Sequence, residues 1–121
     1  MLGIGLDAVE LDRFRRSLAR TPRLVERLFT EEEATYARAR RDPTERFAAR
    51  FAAKEAVMKA LGIGVGECGW REVEVVRAPS GQPSVRLHGR AAALADQRGI
   101  TGWHLSLTHT ERTATAIAVA V

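Results

Sequence analysis

Four polar residues spread along the chain could together act on a phosphate group: Asp7, Glu55, Lys59 and His109. Two carboxylates on separate elements suit a hard divalent cation, because Mg²⁺ takes oxygen ligands and commonly binds one or two carboxylates plus the phosphate oxygens of a substrate. A lysine beside them would add positive charge where negative charge develops. The set is therefore typical of the transfer of a phosphate-linked group.

Two of the four residues lie in the stretch 50–62, which reads RFAAKEAVMKALG. Asp42 suits an N-cap, Pro43 suits the first helical position, and Gly62 suits the residue just past the end. Alanines and other strong helix formers occupy most positions between them. The sequence therefore predicts a helix that begins near Pro43 and ends before Gly62, and this helix should organise the fold.

Side chains four residues apart share one face of such a helix. Glu55 and Lys59 form a pair of this kind, and Ala48 and Ala52 lie on roughly the same face. A glutamate with small neighbours leaves room for a ligand to approach. The alternative is an exposed pair that contributes about 0.2–0.5 kcal/mol, and spacing alone favours that alternative.

Further donors for a phosphate lie close by in the chain. Arg50 and Lys54 form a second pair at the same spacing, toward a more basic side of the helix. Gly62 and Gly64 begin a glycine-rich loop whose backbone amides would allow close approach of a phosphate. The loop has neither Walker nor dinucleotide-binding spacing, so a flexible link to the next strand explains it equally well.

Composition predicts one soluble domain over residues 1–121. No apolar run approaches the ~20 residues of a membrane span, and the start MLGIGLDAVE lacks the basic segment of a signal peptide. A single cysteine, Cys68, excludes an internal disulfide and a multi-cysteine zinc site. These features predict a cytoplasmic protein.

The formal net charge of +4 is unevenly distributed. Six arginines crowd residues 13–27, where Glu26 is the only acid. A basic patch favours an anionic partner such as nucleic acid, a phosphorylated ligand or an acidic protein. A solvated arginine-rich surface is an equally good explanation of this cluster taken by itself.

Periodicity and turn residues predict an α+β fold without internal repeats. The first strand covers 2–9, and Asp7 lies near its C-terminal end. Alternatively, Asp7 is a turn or cap residue for the helix that follows. The further elements are a helix over 10–20, a short helix capped by Thr21, a third helix from the Thr30–Glu33 capping box to about Arg40, the central helix, a hairpin of strands 70–78 and 84–88, a helix within 89–99, and strands 103–109 and 113–121.

Two other chemistries fit the sequence poorly. Ser106, His109 and Asp7 would make a nucleophilic triad, but no nucleophile elbow surrounds the serine. The three histidines lack zinc-ligand spacing with a further ligand.

Three motifs together resemble the holo-acyl-carrier-protein synthases, the small bacterial type of phosphopantetheinyl transferase, along essentially the whole chain. A strand ending in G-x-D before a basic helix is matched by GIGLDAVELDRF at 3–14. The pattern [FW]-x-x-K-E-A-x-x-K-A-[FL]-G is matched by FAAKEAVMKALG at 51–62. The strand HVS[ILV][ST]H is matched by WHLSLTH at 103–109, with Leu105 in place of valine.

This resemblance implies transfer of the 4′-phosphopantetheine arm of coenzyme A to a serine of an apo acyl carrier protein, with release of adenosine 3′,5′-bisphosphate. Asp7 and Glu55 match the carboxylates that hold Mg²⁺, for which Mn²⁺ is an alternative. Lys59 matches the lysine that neutralises pyrophosphate charge or assists proton transfer, and His109 matches the histidine near the substrate. The resemblance also implies a homotrimer with an active site at each subunit interface.

The same resemblance places further residues at binding surfaces. Those expected to contact coenzyme A are Arg50, Lys54, Lys59, Gly62, Gly64, Ser106, Thr108 and His109. Those expected to dock the acidic carrier helix are Arg13, Arg23, Leu24 and Arg27. The carrier itself, from fatty-acid, polyketide or peptide synthesis, stays open.

One position departs from some relatives, which carry an acid directly after the motif histidine where this chain has Thr110. If that acid is a general base there, this protein uses water, Glu55 or another group. A small nucleic-acid-binding protein and an inactive relative that only binds carriers are the alternatives. The first lacks a recognisable binding motif, and retention of Asp7, Glu55 and Lys59 argues against the second.

Overall fold

The computed structural model describes every residue, 1–121. Five strands and five α-helices follow one another along the chain. In order they are β1 (Gly3–Glu10), α1 (Leu11–Arg20), α2 (Leu24–Leu28), α3 (Glu31–Arg38), α4 (Thr44–Leu61), β2 (Val73–Arg77), β3 (Pro83–Leu87), α5 (Gly89–Gln97), β4 (Trp103–His109) and β5 (Thr113–Ala120).

Local signals in the sequence set the ends of the helices. The Thr30 hydroxyl accepts a hydrogen bond from the Glu33 amide at 3.2 Å, and the Glu33 carboxylate accepts one from the Thr30 amide at 2.9 Å, so the predicted capping box opens α3. Asp42 accepts a hydrogen bond from the Thr44 amide at 3.0 Å at the start of α4. Gly62 ends α4 with φ of 73°, a left-handed conformation that glycine adopts without strain.

The strands form two antiparallel sheets. One has the order β1-β5-β4, and the other is the β2-β3 hairpin. In the larger sheet Asp7 lies opposite Ala116, and Thr108 lies opposite Thr115. The α+β architecture with an antiparallel sheet against a long helix is therefore as predicted.

Helix α4 packs very closely on one face of the larger sheet because both surfaces carry small residues. Ala52 and Ala56 on α4 are fully buried, as are the four alanines at alternate positions of β5, Ala114, Ala116, Ala118 and Ala120. On β1, a Cβ atom added to Gly3 or Gly5 would collide with the carbonyl oxygens of Ala60 and Ala56. Larger residues here would hold the helix away from the strand that carries Asp7.

This packing corrects one expectation. The alanines near Glu55 were expected to leave room for a ligand, but Ala48 and Ala52 are fully buried. The small side chains give room to the core, including Ala114 of the neighbouring strand, and the space beside Glu55 is formed by other residues. The alanine face of α4 therefore packs in the core and does not line a ligand site.

A second core joins the helices α1–α3 to the N-terminal half of α4. Its aromatic centre has Phe29 and Phe47 with ring centroids 4.7 Å apart, and Phe14 lies 5.3 Å from Phe51. Phe51 in turn stacks on Trp70 at 5.0 Å. These rings connect the basic N-terminal helices to the helix that carries Glu55.

Three elements differ from the sequence prediction by more than one residue at a boundary. Residues Trp70–Glu72 form a 3-10 turn and β2 begins only at Val73, because the Glu72 carboxylate accepts hydrogen bonds from the backbone amides of Gly69 and Ala91. Helix α2 begins at Leu24, with no side-chain cap from Thr21. Helix α3 ends at Arg38.

The opposite face of the larger sheet is open and apolar on β1 and β5. Its exposed side chains include Leu2, Ile4, Leu6 and Ile117, of which Ile4 and Leu6 are 54% and 58% exposed. Contiguous exposed apolar surface of this kind commonly marks a protein contact. None of the helices has the length and apolar character needed to cross a membrane.

Candidate active site

Asp7 and Lys59 meet although 52 residues separate them in the chain. Asp7 is on the face of β1 that turns toward α4, and its side chain is 14% exposed. The Lys59 ammonium donates to the Leu6 carbonyl oxygen at 2.9 Å and lies 3.2 Å from Asp7 Oδ1. The lysine therefore holds the end of the Asp7 side chain in place.

Glu55 lies one turn before Lys59 on α4, beside Asp7. Burial raises the pKa of Glu55, the negative charge of Asp7 raises it further, and Lys59 opposes both effects. Two carboxylates that repel one another in a partly buried site are stabilised by a cation placed between them. Asp7, Glu55 and Lys59 are thus brought together as the sequence predicted.

A cleft of about 640 Å³ opens beside this carboxylate pair. Asp7, Glu55, Glu10 and Arg13 contribute its charged groups. Its apolar wall consists of Val9, Phe14, Leu24, Leu28, Phe51 and Trp70, with Ala8 at the edge. The cleft therefore combines a cation-binding end with an apolar surface that suits an uncharged chain.

A second cluster of functional side chains surrounds Tyr36. The guanidinium groups of Arg46, Arg50 and Arg77 lie 3.9, 4.1 and 4.7 Å from the centre of its ring. Arg50 is buried, its Nε has no hydrogen-bond partner, and burial lowers its pKa. A buried guanidinium with an unpaired donor is a candidate site for an anion.

The β4 residues predicted to bind coenzyme A border this arginine cluster. Ser106 lines a cavity of about 340 Å³ together with Arg50 and Arg77. Thr108 and His109 line a cavity of about 180 Å³ that Arg50 also borders. The structure thus places Arg50 beside Ser106, Thr108 and His109. Neither of these two cavities shares a lining residue with the cleft at Asp7 and Glu55.

Lys54 corrects the prediction that it contacts coenzyme A. Its side chain is fully buried, and its ammonium lies 2.7 Å from Glu33 Oε1. It also donates to the carbonyl oxygens of Val73 at 2.6 Å and Trp70 at 3.1 Å. Desolvation lowers the pKa of Lys54 and Glu33 opposes this, so the lysine serves an internal ion pair.

The glycine loop also differs from expectation. The Gly62 amide donates to the Lys59 carbonyl oxygen at the end of α4, and the Gly64 amide donates to the Glu67 carboxylate. Both amides therefore have partners within the chain, and their contact with coenzyme A stays a prediction. The two glycines shape the end of the helix and the turn after it.

The arginines predicted to dock a carrier protein lie on exposed helical surface. Arg13, Arg23 and Arg27 are exposed, and no carboxylate lies within ion-pair distance of any of them. Leu24 is half-buried and borders the cleft beside the carboxylate pair. A basic surface therefore adjoins the mouth of the site.

Several residues of the site escaped the sequence prediction, notably Tyr36, Glu45, Arg46 and Arg77. The spacing of Arg46, Arg50 and Lys54 at intervals of four would have marked one basic helix face. No comparable signal exists for Tyr36 or Arg77, because they reach the cluster from α3 and β2.

An α+β domain with a carboxylate pair and a lysine at one cleft, and arginines without an acidic partner around another, is typical of an enzyme that binds a phosphorylated substrate. Residues 3–118 match the family described as the 4′-phosphopantetheinyl transferase superfamily, and the chain belongs to that family. The holo-[acyl-carrier-protein] synthase of Desulforudis audaxviator is 52% identical over 122 residues, covering 100% of this chain and 93% of that protein.

Solved structures show the same fold. The holo-[acyl-carrier-protein] synthase of Neisseria meningitidis superposes with a TM-score of 0.91 at 31% identity, covering 100% of this chain and 98% of the other. The Helicobacter pylori enzyme in complex with coenzyme A superposes with a TM-score of 0.86 at 27% identity, covering 98% of this chain and 99% of the other. The recognition made from the three motifs is therefore confirmed.

Proposed function

We propose that this protein is a transferase that moves the 4′-phosphopantetheine group of coenzyme A onto a serine of an apo acyl carrier protein. The products are the holo carrier protein and adenosine 3′,5′-bisphosphate. The observation that carries the proposal is the meeting of Asp7, Glu55 and Lys59 beside one cleft, in a chain of this family.

Asp7 and Glu55 fit a magnesium ion, and manganese binds the same kind of ligands. No group of three or more acidic, histidine or cysteine residues could form a complete protein cage for a metal. Mg²⁺ needs no such cage, because it usually keeps several waters and completes its shell with substrate phosphates. When bound, the ion supplies positive charge to the pyrophosphate of coenzyme A.

The chain's own residues orient the substrates around this position. Lys59 fixes Asp7 and adds a cation where negative charge develops on the leaving phosphate. The aromatic wall of Phe14, Phe51 and Trp70 covers one side of the cleft and excludes water from the pantetheine arm. Arg50, Ser106, Thr108 and His109 bind the phosphorylated adenosine end of coenzyme A.

The cleft at Asp7 and Glu55 and the arginine cluster around Tyr36, which we call the two half-sites, are separate cavities of one chain. This separation supports assembly into a trimer. Coenzyme A would then bridge the carboxylates of one subunit and the arginine cluster of the next. The exposed apolar face of β1 and β5 is the surface available for that contact, and Ser106 on β4 lies opposite its Ile117. Burying this face in a subunit interface removes its apolar side chains from water.

Light scattering is expected to give the mass of three chains for the native protein and a smaller mass for the double substitution Ile4→Glu/Leu6→Glu. Acidic side chains on the apolar face oppose its burial, and activity should fall with assembly because the half-sites separate. Val65→Glu introduces the same charge at a loop residue that is 71% exposed and should leave the mass unchanged. A fully active monomer would contradict the interface site.

Docking of the carrier should depend on Arg13, Arg23 and Arg27. Replacing all three with alanine is expected to lower kcat/KM for the carrier about tenfold or more at low salt, with KM for coenzyme A unchanged. The kcat/KM of the native protein should also fall as sodium chloride rises, and that of the variant should fall less. Arg112→Ala, an exposed arginine at the β4–β5 turn, is the control. An unchanged salt dependence in the triple variant would exclude this docking surface.

The transferase activity itself has a direct test. The protein is incubated with apo carrier, coenzyme A and Mg²⁺, and the carrier is examined by intact mass spectrometry. The expected result is a carrier heavier by one phosphopantetheine group, and its absence with every carrier class tried would overturn the proposal. Comparing rates for fatty-acid, polyketide and peptide-synthesis carriers identifies the preferred partner.

A further inference from the structure

His109 has an acidic neighbour to which the proposed reaction gives no role. Its Nε2 lies 3.2 Å from Oε1 of Glu45 in the first turn of α4, and the two side chains are 52% and 39% exposed. Both line the cavity whose other charged residues are Arg40, Arg46 and Arg50. Glu45 is therefore the single acid in a wall of cations.

A carboxylate in a wall that binds phosphate repels its ligand, so its presence calls for a compensating role. An ionised carboxylate only accepts hydrogen bonds, and the ring nitrogen that faces it must therefore carry a hydrogen. Glu45 thus assigns a hydrogen to Nε2 of His109. The other ring nitrogen, Nδ1, is left for a ligand.

We infer that Glu45 is a positioning residue that holds the His109 ring with Nε2–H toward α4 and presents Nδ1 to a phosphate of coenzyme A. The inference rests on the proposed function, because that function places His109 at the coenzyme. When coenzyme A is bound, Nδ1 takes a second hydrogen from solvent and donates it in a hydrogen bond to a phosphate oxygen, and Glu45 balances the positive charge of the ring. Carboxylates that orient histidines at metal sites act in the same way, and their loss costs about 10–100-fold.

A purely structural role for Glu45 would come from its place in the first turn of α4, where a negative charge interacts favourably with the helix dipole. If this were its only role, removing the charge would lower the stability of the protein and would change activity equally whether or not His109 is present. The positioning role acts through His109 alone. A double-mutant cycle separates the two.

The cycle compares Glu45→Ala, His109→Ala and the double variant with the native protein, at saturating carrier. Glu45→Ala is expected to lower kcat/KM for coenzyme A at least tenfold, mainly through KM. In the His109→Ala background the same substitution should change it less than twofold. Equal losses in both backgrounds would overturn the inference.

A spectroscopic measurement tests the pair without relying on activity. The ring ¹⁵N chemical shifts of the three histidines report which nitrogen carries the hydrogen. In the native protein without coenzyme A, the hydrogen of the neutral His109 ring should be on Nε2, whereas Glu45→Gln, whose amide both donates and accepts, should give a mixture of tautomers. Unchanged His109 signals in that variant would refute the inference.

Glu31→Gln is the matched control, since it removes an exposed acid from the first turn of α3. It should leave the His109 signals and kcat/KM unchanged. If the native protein transfers nothing from coenzyme A, the proposed function fails, but the spectra still decide whether Glu45 sets the His109 tautomer. The two failures are therefore distinguishable.

Discussion

Replacing Glu55 with glutamine is expected to lower kcat for phosphopantetheine transfer about a thousandfold while the protein stays folded. The amide keeps the size of the side chain but removes one of the two negative charges that, in the proposed function, would hold the divalent cation. A bound cation contributes several kcal/mol of charge stabilisation, and about 4 kcal/mol corresponds to a factor of 10³ in rate. Intact mass spectrometry of the carrier over time measures the loss.

The Glu55→Gln substitution should lower activity without lowering the stability of the fold. Burial and Asp7 raise the pKa of Glu55, so its charge is unfavourable in the metal-free fold and glutamine should not lower the unfolding midpoint. Asp7→Asn should lose as much activity, but it also breaks the pair with Lys59, worth at most about 1 kcal/mol. Asp96→Asn on the exposed side of α5 is the control. Near-native activity in either active-site variant would remove the metal assignment.

Replacing Lys54 with methionine is expected to destabilise the protein by about 3–5 kcal/mol, because the buried carboxylate of Glu33 loses its cation. Methionine fills a similar volume, so the effect is electrostatic rather than a cavity. The carbonyl oxygens of Trp70 and Val73 also lose their donor. Urea unfolding with an unchanged m-value measures the difference.

The chain's second lysine supplies the matched control. Lys59→Met makes the same substitution on the same helix, but the Lys59 side chain is 54% exposed, so the loss of stability should be below about 1 kcal/mol. Adding Glu33→Gln to Lys54→Met should recover part of the stability, because it removes the unpaired charge. A cost below about 1 kcal/mol for Lys54→Met alone would show that the buried pair does not stabilise the fold.

Much of the fold could be predicted because its signals are local. The capping box at Thr30, the glycine after α4 and the alternation in β4 each depend on residues a few positions apart. The strand 70–78 was predicted too long because the Glu72 side chain bonds backbone amides, one of them on α5. Propensity does not report such distant contacts.

The site was predictable only in part. Asp7, Glu55 and Lys59 were identified by motif and do lie together, whereas Lys54, expected at coenzyme A, is buried in an internal ion pair. Lysine in a basic motif suggests a phosphate ligand, yet Lys54 faces the core and pairs with Glu33 on another helix. Spacing gives the face of a helix but does not tell which face another element covers.

The sequence by itself therefore determined the elements, the family and the identity of the carboxylates and lysine at the cleft. Only the tertiary structure decided which charged groups are buried in ion pairs and which remain available, and it alone placed Tyr36, Arg77 and Glu45 beside Arg50 and His109. The physical reason is that a hydrogen-bonded turn depends on neighbours in the chain. The environment of a charge depends instead on packing between residues tens of positions apart, such as Lys54 with Val73 and Asp7 with Lys59.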